Sequence, residues 1–413
     1  MQTVRDSGTI AVLTTADQVV SSASNALLIV ALATTSSADL FGLIGLLVAV
    51  VMVCLGFNRG ALGTPLLLTS HMSRDDIAAE AGYALSWAFL AGLVAGAVVA
   101  VGGAILNETD MAWVFGLSIP FVLAQDVLRI AVIALGRPGI ALVADSLWTT
   151  IVLAVIVAGR VGVTSTAPTT VLIWGGAGLL SGFLIAIWAR LHPRWYRIFA
   201  WWRTYYPSRL RFGALPAAGQ VGGLLVSVTA FETVGGAAAA GIRGALTLFG
   251  PITVLISALP MVFVPHSLRS RSTAAGQWRT LVWTSVTTSA LTLSAAVLLL
   301  CVPEQLGNTI LGQSWAPTRQ LVPFIGIECA AAAWRISGYT FFQSRGVSRA
   351  VFQLSLVHLV FQAGSCLVAG LWFQSAIAIG VAVAVSGSIM ALAGQVAVHM
   401  WLRSHRDRDE THR

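Results

Sequence analysis

The sequence predicts an all-α polytopic membrane protein, with about twelve transmembrane helices in two halves of six. Three observations carry that expectation. The 413 residues are 57% hydrophobic and only 10% charged, with a mean hydropathy of +0.84, whereas soluble domains average about 25% charged residues. Apolar stretches follow one another with short connections, and each is near the roughly 20 residues that a helix needs to cross a bilayer. Arginines crowd into alternate connections, the pattern that positive-inside insertion produces.

In the first half the spans fall near 9–33, 41–68, 81–105, 112–136, 139–159 and 169–189. In the second they fall near 212–231, 238–266, 280–302, 320–344, 350–371 and 374–402. The first span carries Asp17 and Gln18 and has no clear cleavage site after a compact apolar core. It therefore reads as an uncleaved helix. Spans 41–68 and 238–266 are long enough to tilt, kink or protrude. Pro120, Pro216, Pro251 and Pro260 lie inside spans, where each removes a helix hydrogen bond and favours a kink. Gly250-Pro251 is the candidate hinge. Cys54, Cys301, Cys329 and Cys366 stand singly and show no metal-ligand spacing, so they read as buried thiols.

The longest connection, 190–211, reads RLHPRWYRIFAWWRTYYPSRLR. Arginines alternate with tryptophans and tyrosines, which suits rings at headgroup depth and guanidinium groups on phosphate. The expected organisation is a lobe at 1–189, a cytosolic interfacial linker at 190–211, a second lobe at 212–402 and a cytosolic tail at 403–413. Ala16-Asp17-Gln18-Val19 is echoed by Ala218-Gly219-Gln220-Val221, and repeats of this kind are common in transporters that bind between halves.

All 24 basic residues are arginine, giving a net charge of +8. Eighteen fall on one side, among them Arg5, Arg74, Arg137, Arg269, Arg271 and Arg279; only Arg160 and Arg319 fall on the other. This asymmetry places both termini in the cytosol and faces the basic surface toward anionic lipid, not nucleic acid. The opposite loops are no longer than about 17 residues and scatter their acids as Asp39, Glu108, Asp110 and Glu304. No nucleophile triad, phosphate loop or metal motif appears. No catalytic residue, metal or cofactor is expected.

Ionisable groups inside the bilayer are costly, about 2.5–3.5 kcal/mol for a central arginine. Four arginines lie inside spans: Arg59, Arg129, Arg243 and Arg335. At 1.5 Å per residue, Arg59 and Arg129 lie about 27 and 26 Å from the outer ends of their spans, and Asp17 and Asp145 about 12 and 9 Å from the inner ends. With Asp126, these residues share one depth, either as a polar cluster facing a cavity or as an ion-pair network that fixes packing. Arg59 can also snorkel, and Asp126 and Arg129 can neutralise each other at i,i+3. Arg335 lies about 21 Å from the outer end of its span, with Glu328 two turns before it. Arg243 stands among Gly241, Gly244 and Ala245, small residues that allow close helix packing or leave space for a ligand.

Several runs resemble one family. Ala16-Asp17-Gln18 through Asn25, then Ser36-Ser37-Ala38-Asp39-Leu40-Phe41-Gly42, is similar to the opening of the Wzx-type polysaccharide-lipid flippases. Ala240-Gly241-Ile242-Arg243-Gly244-Ala245 with Phe249-Gly250-Pro251 resembles their central repeat, and Leu311-Gly312-Gln313-Ser314-Trp315-Ala316-Pro317 the loop before their tenth span. These flippases belong to the multidrug/oligosaccharidyl-lipid/polysaccharide (MOP) exporter superfamily. The resemblance implies two lobes around a central cationic cavity in a bacterial plasma membrane. The substrate it implies is a polyprenyl-(pyro)phosphate-linked sugar, delivered from the cytosolic to the outer leaflet for cell-envelope polysaccharide synthesis, beside pathway glycosyltransferases. It places phosphate binding on Arg59, Arg129, Arg243 and Arg335. The acids Asp17, Asp126, Asp145 and Glu328 depart from an all-cationic cavity and are expected to pair charge or couple ions. Two alternatives stay open: an ion-coupled drug exporter of the same superfamily, and a membrane glycosyltransferase, against which the short loops argue. The oligomeric expectation is a monomer.

Overall fold

The computed structural model describes residues 2–68, 72–105, 109–163, 165–269 and 273–411. Glu108 and Arg271 lie outside the described residues, as do the side chains of Arg5, Arg269 and the last residues of the tail. The chain is helical, with no strand among the described residues. The elements are α1 (Gln2–Thr35), α2 (Ala38–Asn58), a π-helical turn (Arg59–Gly63), α3 (Thr64–Leu68), α4 (Arg74–Ile105), α5 (Thr109–Ala134), α6 (Pro138–Arg160) and α7 (Ala167–Ala189). They continue as α8 (Ile198–Thr233), α9 (Gly236–Leu248), α10 (Gly250–Arg269), α11 (Ala274–Leu300), α12 (Glu304–Leu311), a 3-10 turn (Gly312–Ser314), α13 (Trp315–Ser344), α14 (Ser348–Phe373) and α15 (Ala376–Thr411).

Among the described residues, ten single helices are long and apolar enough to cross a membrane, and the total reaches twelve when each of two bent pairs is taken as one span. One pair bends by 47° between Ile198–Ala214 and Pro216–Thr233; the other bends by 61° between Gly236–Leu248 and Gly250–Ser257. Both breaks sit beside a proline, Pro216 or Pro251, whose ring cannot donate to the helix ladder. Many large apolar side chains point outward, such as Val98, Trp113 and Trp372. In a membrane protein these meet lipid, so their exposure carries no hydrophobic cost.

The chain divides into two compact units. The first comprises residues 1–37 and 44–224, and the second residues 38–43 and 225–413. Residues 190–211, expected as the connection between lobes, turn into α8 at Ile198 and group with the first unit.

In the first unit α4 packs on α5, α5 on α7, and α1 on α6. Small residues permit the closest approaches: a Cβ on Gly96 would run into the Gly116 carbonyl, and one on Gly92 into Pro120. Without a hydrophobic drive between helices in lipid, such backbone approach supplies the packing. Ser73 starts α4 by accepting the Asp76 amide at 3.2 Å, and Thr166 starts α7 by accepting that of Thr169 at 3.4 Å, each satisfying an orphan donor of the first turn.

In the second unit α13 is central, packed by α9, α10, α11 and α15. Phe249, Leu321, Val322 and Ile325 fill its core. Gly241 and Gly244 lie against Pro317 and Thr318 of α13, so the small residues around Arg243 serve close packing. Asp39, one of the scattered acids, accepts the Ala237 amide at 3.1 Å and thereby caps α9, with its charge at the positive end of the helix dipole. Gly235 just before it holds φ +121°, a conformation that side chains avoid.

Candidate functional site

The first unit gathers its in-span charges into one network. Asp126 on α5 accepts a fork from Arg59, with Nε at 3.0 Å from both carboxylate oxygens and Nη2 at 2.9 Å from Oδ1. The same carboxylate accepts Arg129 Nη2 at 3.1 Å. Arg129 Nη1 reaches Asp17 Oδ2 on α1 at 3.2 Å and Gln18 Oε1 at 3.4 Å, and its Nε lies 4.0 Å from Asp145 Oδ2 on α6. Gln125 Nε2 donates to Asp145 Oδ1 at 2.6 Å and to Ser181 Oγ on α7 at 3.3 Å. Four helices and the π-turn thus meet at five ionisable side chains.

Local sequence explains the arrangement. Asp126 and Arg129 sit one turn apart on α5 and therefore share a face. Arg59 opens the π-turn, which inserts one extra residue into the helix; such insertions recur at functional sites. Asn58 beside it donates to the Leu123 carbonyl at 3.2 Å, fastening that turn to α5.

Fully ionised, three carboxylates and two guanidinium groups leave one negative charge. Asp17, Asp126, Arg129 and Asp145 are all buried, while the Arg59 side chain is 38% exposed. Among the described residues, Asp17 Oδ1, Asp145 Oδ2 and Arg129 Nε have no hydrogen-bond partner. The buried interior of the network thus keeps Arg129 Nε and Asp145 Oδ2 at ion-pair distance without a hydrogen bond, and Arg59 forms its open edge.

The second unit differs. Arg335 forks onto Glu328, Nη2 to Oε1 at 2.6 Å and Nη1 to Oε2 at 3.4 Å, and Nη1 also donates to the Gly387 carbonyl at 3.2 Å. The two residues lie seven apart on α13, two turns along one face. Arg243 on α9 has no carboxylate partner among the described residues, and its Nε is buried without an acceptor. Arg243 is half-buried and forms no ion pair among the described residues, whereas Arg59, Arg129 and Arg335 each pair with at least one carboxylate.

The sequence reading passed over Gln125 and Ser181, although a glutamine beside Asp126 in an apolar span was a legible signal. It also counted Arg209 among surface cations. In the structure Arg209 is buried, with Nη2 3.2 Å from Glu80, Nη1 3.5 Å from the Ala61 carbonyl of the π-turn and its guanidinium 3.7 Å from the Trp201 ring. Trp201 Nε1 donates to the same Glu80 at 2.9 Å. This contact pins the start of α8 to α4 and to the π-turn that carries Arg59. Among the described residues, no group of three or more His, Cys, Asp or Glu side chains could hold a metal ion.

The sequence matches no protein-family model and no curated protein. Solved structures do match. An inward-facing multidrug resistance MATE family transporter of the MOP superfamily is 13% identical, with a TM-score of 0.66 over 93% of this chain and 96% of that one. The lipid II flippase MurJ in an inward closed conformation is 12% identical, with a TM-score of 0.68 over 94% of this chain and 87% of that one. A MOP superfamily transporter from Pyrococcus furiosus, described as having a binding pocket of reverse polarity that points to a different function, is 13% identical, with a TM-score of 0.62 over 96% and 95%. The fold is that of MOP-superfamily transporters and flippases, and the chain is a multi-pass membrane protein.

Proposed function

We propose that this chain is an alternating-access transporter that moves a polyprenyl-(pyro)phosphate-linked sugar from the cytosolic to the outer leaflet of a bacterial plasma membrane, with both termini in the cytosol. A lipid-linked sugar has an oily tail and an anionic, hydroxylated head. The tail stays in lipid while the head passes through a hydrated path, and no covalent step is needed. Arg243 carries this reading. An unpaired guanidinium in an apolar span is costly, and a phosphate accepting a charge-assisted fork supplies what it lacks. The likeness to a lipid II flippase supports the same class of cargo. Arg59, at the open edge of its network, is the second candidate phosphate contact. Arg129 and Arg335 are committed to carboxylates and would position the helices that bear the site. Gly250 and Pro251, at the 61° break, are the proposed hinge. Pathway glycosyltransferases are the expected partners, and the working unit is a monomer.

The test is a leaflet assay in proteoliposomes with purified lipid-linked sugar. Arg243→Ala should slow translocation about tenfold or more, the equivalent of about 1.4 kcal/mol, and Arg243→Lys should restore part of the rate, since an ammonium retains charge but loses the fork. Wild-type rates in both variants would remove the proposal.

One observation favours a second reading, an ion-coupled drug exporter of the same superfamily. The network in the first unit holds three carboxylates against two guanidinium groups, and one buried oxygen each of Asp17 and Asp145 lacks a hydrogen bond among the described residues. On that reading Asp17→Asn alters the dependence of transport on the proton or sodium gradient. Equal transport by Asp17→Asn across imposed gradients would eliminate it.

A further inference from the structure

We propose that the first unit holds a bound lipid with one hydrocarbon chain seated in a cavity between α2 and α4 and its phosphate on the basic, aromatic segment at the start of α8. The cavity has a volume of about 220 Å³ and is lined mainly by Cys54, Phe57, Leu62, Trp87, Ala91 and Ala95; Leu123 of α5 and Asn58, whose amide donates to the Leu123 carbonyl, complete the wall. Its walls are almost wholly apolar, so water gains few hydrogen bonds there, and apolar cavities of this size stay dry and accept apolar guests. Ala91 and Ala95, four residues apart on α4, form the slot; beside them Leu93, Val94 and Val98 are exposed on the lipid-facing side. A chain can therefore enter from the surrounding bilayer.

One wall of the cavity also touches a basic, aromatic segment. Trp87 lines the cavity and also stacks on Trp202 of α8, with ring centroids 4.3 Å apart at 11°. Phe199 meets the edge of the same Trp87 at 5.9 Å, and Trp195 meets Phe89 at 6.3 Å. The Arg209–Glu80 ion pair and the stacking of Trp201 on Tyr83 fix this segment in place. Arg197 and Arg203 stand exposed on the same segment, Arg197 over the Tyr196 ring at 5.2 Å, and Arg197 adopts φ +60°, a backbone state that a side-chain-bearing residue holds only where its surroundings enforce it. Aromatic rings at headgroup depth with guanidinium groups beside them form a receptor for a lipid phosphate. The ligand class is therefore a lipid with a phosphate head, either a bilayer phospholipid or a polyprenyl phosphate. The site belongs to the first unit and Arg243 to the second, and the proposal does not depend on which cargo is carried.

The experiment uses the full chain in nanodiscs of digalactosyldiacylglycerol, a bilayer lipid without phosphate, with a trace of phosphatidylglycerol that carries a diazirine in its acyl chain. After irradiation, adducts are mapped by mass spectrometry. Phosphatidylglycerol, polyprenyl phosphate and uncharged diacylglycerol serve as unlabelled competitors. Adducts should concentrate on Phe57, Trp87 and Ala91. A phosphate-bearing competitor should reduce them about fivefold and diacylglycerol hardly at all; the stronger of the two phosphate lipids identifies the source. Ala95→Trp, which fills the slot, and the double change Arg197→Gln with Arg203→Gln should each lower capture about threefold, whereas Leu93→Trp on the outer face should leave it unchanged. If Ala95→Trp does not fold, the arginine pair, which is exposed, decides alone. Adducts spread over Leu93, Val94 and Val98, equal competition by diacylglycerol, or full capture by the arginine double variant would overturn the proposal.

Discussion

Asp126 joins the two guanidinium groups of the first unit's network, because it accepts from both Arg59 and Arg129. Removing one partner of a buried ion pair costs about 3–5 kcal/mol, since a charge is left uncompensated. Here two guanidinium groups lose their shared acceptor, and Asp126→Ala should lower the melting temperature of the purified protein by several degrees. Asp126→Asn, which keeps an oxygen in place, should lie between. Melting curves of both variants in detergent check this, and an unchanged midpoint for Asp126→Ala would mean that the network contributes nothing to stability. The sequence showed that these charges needed partners, because bare ions in lipid are too costly, and equal depth indicated which residues were neighbours. It did not show the pairing. Asp126 lies three residues from Arg129 but over sixty from Arg59, and only the π-turn aims Arg59 at it.

Helix packing in both units relies on glycines whose neighbours are backbone or short polar side chains, so glycine substitutions separate packing from bending. Gly244 lies against Thr318, and a side chain there has no space. Gly244→Val should push α9 from α13 and destabilise the second unit by about 1–3 kcal/mol, as overpacking does. Gly250 has open space at its Cβ position, so Gly250→Ala should melt with the wild type while slowing transport if the 61° bend works as a hinge. Measuring melting and leaflet transport on both variants distinguishes the two roles; a large loss of stability in Gly250→Ala would show that the bend is a static packing feature. At this scale apolar length located the spans well. It missed where α8 begins: aromatic and basic residues at Ile198–Arg211 read as an interfacial connection, yet the same side chains form helix and stack on α4. Hydropathy does not reveal that partner surface.

For the whole molecule, the arginine asymmetry argues that both termini face the cytosol. A reporter active only in the cytosol should work when fused after Arg413 and stay silent when inserted between Val161 and Val163, in the connection after α6. The reverse pattern would invert the topology and with it the direction of transport. Two halves and a count near twelve were legible because hydrophobic length and charge asymmetry are set by insertion into lipid. Cargo was not legible to the same degree, because one superfamily fold serves both drug exporters and lipid flippases, and the choice rests on a few charges. The most direct measurement reconstitutes the purified chain and follows two substrates side by side, a polyprenyl-pyrophosphate sugar and a lipophilic organic cation. Translocation of the lipid-linked sugar, dependent on Arg243, with no movement of the cation, is the expected result. Transport of the cation with the sugar lipid left in its original leaflet would contradict the anionic-cargo assignment.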